Sequence, residues 1–158
     1  MKRKHLFGMM LMTLVIGMGF TSCEKDDDFG IEVKLRNSNS GGGSVIVLTN
    51  VFLGVGDYSY LEVELDIDNT DNFRLYAYGS GIADIVSVGR VSGLSKVTDI
   101  PTSGWSSKVS IKEGHGYIIR GSKNGKDYRY ARVYVVDQFT GTSGGIIGAT
   151  IRYEPDWK

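Results

Sequence analysis

The sequence predicts an all-β fold, mostly antiparallel, built as a β-sandwich or open barrel that ends in a C-terminal three-stranded meander. Three observations carry this expectation. Apolar and charged residues alternate with period two in Ile31–Arg36 and in Tyr60–Ile67, which puts one kind of side chain on each face of a strand. No apolar 3.6-residue period runs for three turns after the N-terminal segment, so little helix is expected there. The 22 glycines break the chain into short β-type runs and supply their turns.

The elements follow in order. Ile31 to Arg36 reads as a half-buried strand, and Asn37 to Ser44 (NSNSGGGS) as a turn or loop. Val45–Leu48, Tyr58–Ile67, Phe73–Tyr78 and Ile82–Val88 are the next strands. Leu61, Val63, Leu65 and Ile67 share one face of the second of these, opposite Glu62, Glu64 and Asp66. Gly89 to Trp105 is irregular, because Gly93, Pro101 and Gly104 interrupt any period. Lys108–Lys112, Gly116–Arg120, Tyr128–Gln138 and Ile146–Tyr153 complete the set. Asn124-Gly125 predicts a hairpin with a type I′ turn, since both residues tolerate positive φ. The next connection, Phe139 to Gly145, is longer and rich in glycine.

The N-terminus points to an address. Lys2, Arg3 and Lys4 precede an apolar run from Leu6 to Phe20, shorter than the roughly 20 residues of a spanning helix. A basic stretch, a short apolar core and small polar residues make an export signal. Cys23, the single cysteine, stands where cleavage leaves it first, as in a bacterial lipoprotein. The lipobox Phe20-Thr21-Ser22-Cys23 resembles the looser form of Bacteroides-type bacteria. Glu24, Asp26, Asp27 and Asp28 resemble the acidic signal for the outer face of the outer membrane. The expected organisation is a signal peptide over 1–22, a lipidated acidic tether over 23–30, and one β-rich domain over 31–158. The membrane is the expected first partner, through acyl chains on Cys23, and two or more chains anchor stably.

Composition excludes several classes. The chain has 18 basic and 18 acidic residues, and loss of Lys2, Arg3 and Lys4 tips the remainder acidic. Nucleic acid is not an expected partner, because no basic stripe exists to meet phosphates. With Cys23 acylated, no thiol remains for a disulfide, a metal or nucleophilic attack. No cofactor is expected.

Candidate chemistry is sparse. Gly141-Thr142-Ser143-Gly144-Gly145 fits G-x-S-x-G, but a nucleophile elbow needs a helix after the serine and a histidine later in the chain. A strand follows Ser143 and His115 precedes it, so the segment reads as a loop. His115 between two glycines has no cysteine partner at a zinc spacing and reads as a turn residue. Asp66 to Asn72 places oxygens at alternate positions, yet lacks the glycine and glutamate that a calcium loop wants at its sixth and twelfth positions. It reads as a polar hairpin turn, and no metal site is assigned. Gly79 to Asp84 echoes a dinucleotide fingerprint without the helix one requires. The remaining signal is aromatic: Tyr58/Tyr60, Tyr76/Tyr78 and Tyr128/Tyr130 each put two rings on one strand face. With Trp105, in a loop, Tyr58, Tyr60, Tyr128 and Tyr130 are the candidate ligand platform, large in contact area and polar at the tip. Ordinary cross-strand packing is the plainer account of the same rings.

VGRVSGL (Val88–Leu94), IPTSGW (Ile100–Trp105), GHGY (Gly114–Tyr117), YARVYVVD (Tyr130–Asp137) and SGGIIGATI (Ser143–Ile151) together resemble a domain-of-unknown-function family of Bacteroides-type surface lipoproteins. The resemblance implies a surface location and a single domain, and carries over no catalytic or ligand residue. The expected function is therefore a non-catalytic cell-surface lipoprotein that binds a glycan or docks on an outer-membrane complex. The alternatives are a small hydrolase using two of Asp57, Asp66, Asp68, Asp71, Asp84, Asp99 and Asp137, and a purely structural subunit of a surface assembly.

Overall fold

The computed structural model describes residues 30–37, 40–50, 61–78 and 81–158. Cys23, the acidic residues after it, Asp57, Tyr58 and Tyr60 lie outside them. The described chain is all β. Its strands are β1 (Ile31–Arg36), β2 (Val45–Asn50), β3 (Leu61–Ile67), β4 (Asn72–Tyr78), β5 (Ile82–Arg90), β6 (Lys108–Ser110), β7 (His115–Ser122), β8 (Arg129–Thr140) and β9 (Ile146–Glu154). They form two antiparallel sheets, a five-stranded sheet A in the order β1-β9-β8-β7-β5 and a four-stranded sheet B in the order β2-β3-β4-β6. The predicted C-terminal meander is β7-β8-β9 in sheet A.

The period-two pattern decides which side chains meet. Leu61, Val63, Leu65, Ile67 and Phe73 point inward from sheet B. Ile85, Tyr117, Ile119, Ala131, Val133, Val135 and Ile151 answer from sheet A. Phe73 and Tyr117 cross edge to face, with ring centroids 5.0 Å apart, the arrangement that the ring quadrupoles favour. The Tyr117 hydroxyl donates to the Ser110 carbonyl and accepts from the Lys112 N–H, each at 2.9 Å. One side chain of sheet A thereby fixes the stretch that carries β6 of sheet B. The two sheets also touch through bridges, Asn37 to Ile67 at one corner and Ile85 to Ser106 at another.

Gly89 to Trp105, predicted to be irregular, crosses from sheet A to sheet B over the outer face of sheet A, with one short 3-10 turn at Leu94–Lys96. Val97 from this crossover buries itself against Val86 and Ile118 in a second small core, flanked by Val88, Val91, Ile100 and Trp105. Close approach requires a glycine below. A Cβ at Gly116 would lie 2.5 Å from Val97 Cγ2 and 2.8 Å from Val88 Cγ2.

The hairpin at Asn124-Gly125 forms, but not with a type I′ turn. Gly125 has φ of 73°, while positive φ outside glycine is confined, among the described residues, to Asp71 and Asp156. The connection is instead the six-residue loop between Ser122 and Arg129. Asn124 spends its side chain on the loop: Oδ1 accepts from the Lys126 and Asp127 N–H groups. Ser122 Oγ accepts from the Asn124 and Gly125 N–H groups. Side-chain acceptors at a turn relieve the backbone of adopting the left-handed conformation twice.

Candidate functional site

The three candidate aromatic residues within the described chain come together. Trp105 arrives from the end of the crossover, Tyr128 from the last position of the loop before β8, and Tyr130 from the start of β8. Trp105 and Tyr130 have ring centroids 6.4 Å apart, as do Tyr128 and Tyr130. All three are half-buried. The patch lies on the outer face of sheet A, because Tyr130 alternates with the inward-facing Ala131.

Sequence reasoning missed the residue that organises them. Arg120 on β7 places its guanidinium carbon 4.2 Å from the Trp105 ring centroid and 4.6 Å from that of Tyr128. Its Nε and one terminal nitrogen both donate to Asp84 Oδ2, at 3.0 and 2.9 Å. The planar cation thus stacks on two rings while β5 holds it in place. The signal was present as an arginine closing the apolar run Tyr117-Ile118-Ile119. Trp105 Nε1 donates to the Pro101 carbonyl at 3.0 Å, so the indole is also fixed at its edge. The patch is therefore rigid before any ligand arrives, and its free surface is what Arg120 leaves uncovered on the three rings.

A similar arrangement continues along the face. Arg132 donates to Glu154 Oε2 at 2.6 Å and to the buried Val97 carbonyl at 3.1 Å. Its guanidinium lies 4.9 Å from the Trp157 ring centroid. These contacts bolt the crossover and the C-terminus to sheet A.

Tyr76 and Tyr78 do share a strand face, but on the opposite side of the sandwich, so no single platform unites the tyrosine pairs. There Ile46, Glu64 and Tyr76 form one cross-strand row, and Glu62 stands opposite Tyr78. Tyr78 donates its hydroxyl proton to Glu64 Oε2 at 2.8 Å, and this bond raises the phenol above its ordinary range.

Among the described residues, three of the candidate carboxylates are each bound to a different cation. Asp66 pairs with Arg74 at 3.1 Å, Asp84 with Arg120, and Asp68 with Lys108. Asp137 is exposed on β8 and Asp99 on the crossover. Asp71 occupies the strained turn position, with φ of 60°. The polar turn is as the sequence suggested: Asp68 Oδ1 accepts from Thr70 N–H and hydroxyl and from Asn72 N–H. Burial raises the Asp68 carboxyl, but Lys108, the Thr70 hydroxyl and the two turn N–H groups outweigh it and hold it far below the usual carboxylate range. Lys108 thus neutralises the charge of Asp68 at this turn. Among the described residues, no three of His, Cys, Asp and Glu gather as metal ligands would. Ser143 sits exposed in the loop from β8 to β9, closed by Gly141 N–H to Gly145 carbonyl at 2.8 Å. A strand follows it, and His115 opens β7 elsewhere.

No family model, curated protein or solved structure matches the chain.

Proposed function

We propose that this chain is a non-catalytic, lipid-anchored protein of the outer-membrane surface that binds a glycan through the Trp105–Tyr128–Tyr130 patch. The observation that carries the reading is the meeting of these three rings, from separate segments, around the fixed cation of Arg120. Sugar C–H faces pack on aromatic surface, and a patch already ordered loses little freedom on binding. Cys23 and the acidic residues after it support the anchor and its address, as does the resemblance to Bacteroides-type surface lipoproteins. The carboxylates support a non-catalytic role. A glycosidase pairs a carboxyl raised toward neutrality with a second one across the scissile bond, whereas Asp66, Asp68 and Asp84 are each bound to a different cation.

Affinity electrophoresis of the full-length chain through gels containing soluble polysaccharides tests the reading. The wild type is expected to be retarded by at least one polysaccharide, and Trp105→Ala and Tyr128→Ala to run free, with Tyr76→Ala unchanged. Retardation of both patch variants equal to the wild type would sink the proposal; two variants guard against one that fails to fold.

One observation favours docking on a partner instead. Ile46, Tyr76 and Tyr78, exposed at 43%, 37% and 43%, gather on the outer face of sheet B. Impermeant cross-linking on intact cells, with Cys23→Ala as control, separates the two. A reproducible partner that Tyr76→Ala loses would favour docking.

A further inference from the structure

Beside the aromatic patch, under the crossover, lies a recess of about 430 Å³, within the range of about 300–1,000 Å³ typical of small-molecule sites. Val88, Val91, Ile100 and Pro101 supply its apolar lining, and Lys96 and Asp99 its charges. Three of these apolar residues belong to the small core that includes Trp105, and the fourth accepts the Trp105 indole proton. Patch and recess are therefore neighbours on one rigid support.

Asp66, Asp68, Asp84, Glu154 and Asp156 are each paired with a lysine or arginine. The Lys96 and Asp99 side chains have no hydrogen-bond, ion-pair or ring partner among the described residues. Opposite charges at one recess leave an ammonium to donate and a carboxylate to accept. A sugar ring offers what this lining can use. Its C–H face suits the valine, isoleucine and proline surfaces, and its hydroxyls both donate to a carboxylate and accept from an ammonium.

We propose that the recess is a subsite for a single neutral sugar residue, the terminal unit of the glycan whose next residue rests on Trp105. This rests on the glycan reading of the aromatic patch. Lys96 and Asp99 are positioning groups for ring hydroxyls.

The test uses the full-length chain in a detergent without sugar headgroups. Saturation-transfer NMR would be run with free glucose, galactose, mannose and N-acetylglucosamine, and the polysaccharide gels repeated with Lys96→Ala and Asp99→Ala. Both residues are exposed, so neither change threatens the fold. Expected is saturable transfer from at least one sugar, weakened about tenfold by either change, as the loss of one charge-assisted hydrogen bond implies. It should persist at about 1 M salt, where charge attraction is screened beyond about 3 Å. Binding of free glycine in place of sugars, abolished by that salt, would mean a zwitterion site and overturn the proposal. Retardation by polysaccharide that Trp105→Ala loses and both recess variants keep, with no hexose bound, would overturn the subsite and leave the patch standing. No retardation of the wild type and no hexose binding would overturn both.

Discussion

Replacing Tyr117 by phenylalanine isolates one hydroxyl that holds the two sheets together. The ring is fully buried, at 0% exposure, and its packing on Phe73 survives the change. What goes is the pair of hydrogen bonds to the Ser110 carbonyl and from the Lys112 N–H. At about 0.5–1.5 kcal/mol each, their loss should cost about 1–3 kcal/mol in urea unfolding near neutral pH. The hydroxyl leaves a second, independent signature. Burial, against a smaller opposing effect of the Lys112 N–H, pushes the phenol from 10.0 up to about 12. The folded chain therefore holds this proton more tightly than the unfolded one. Its contribution is complete below pH 10 and is lost as pH rises from 10 to 12. Each tenfold difference in proton affinity is worth about 1.4 kcal/mol, so the full loss is about 3 kcal/mol. Lysines and other tyrosines titrate in the same window, so the quantity to read is the wild type minus Tyr117→Phe. That difference should shrink toward zero between pH 10 and 12. A constant difference across the window would refute the reasoning, because the hydroxyl would then not be the group whose proton the fold retains.

The acid side has a counterpart in Asp68. Its carboxyl is held low in the fold, so its contribution is present above its unfolded value near 3.9 and is lost as pH falls toward the folded value. Asp68→Asn should be less stable than the wild type at pH 7, and the gap should close on acidification, as read by thermal unfolding from pH 7 to about pH 2. Gly148→Ala should destabilise by about 1–3 kcal/mol or more, because the new Cβ would stand 2.2 Å from the Leu35 carbonyl oxygen and 2.4 Å from the Phe139 ring. Gly43→Ala, with nothing within 4 Å, is the matched control in the same denaturation series.

The fold was largely legible because one period did most of the specifying. The alternation from Leu61 to Ile67 fixes both the strand and the face that is buried, whereas in Ile31–Arg36 it fixes the strand but buries only Leu35 fully and leaves Ile31 exposed. The interrupted stretch from Gly89 to Trp105 was legible as irregular, but not as a cover for sheet A. Nothing local in Val97 says that it will bury against Val86 and Ile118; that depends on Gly116, far along the chain, having no side chain. The turn at Asn124 misled for a related reason. Asn-Gly permits a type I′ turn, but Asn124 and Ser122 can also satisfy the backbone with their side chains, and the longer loop uses that second route.

The site was legible in its rings and not in its cation, and the reason bears on how such a surface can act. Tyr76/Tyr78 and Tyr128/Tyr130 look alike in the sequence, two rings on one strand face. The structure separates them by what the neighbouring strand supplies. Glu62 and Glu64 of β3 stand opposite Tyr78 and Tyr76, so those rings are edged by carboxylates on a face that remains exposed. Beside Tyr128 and Tyr130, β7 supplies Arg120, and Asp84 of β5 fixes it. Three adjacent strands and the crossover must be in register before that cation can stack on Trp105 and Tyr128. A surface that assembles only when three strands of sheet A and the crossover are in place has its geometry set by the fold. Rigid aromatic surface suits a ligand that is itself repetitive and weakly held, because each ring contact adds little and none can be spent on ordering. On sheet B, Arg74 lies 4.6 Å from the Tyr76 ring centroid and is held by Asp66 at 3.1 Å, but that cation covers a single ring, whereas Arg120 joins Trp105 to Tyr128, which is why the patch around Arg120 is the better place to look for a sugar.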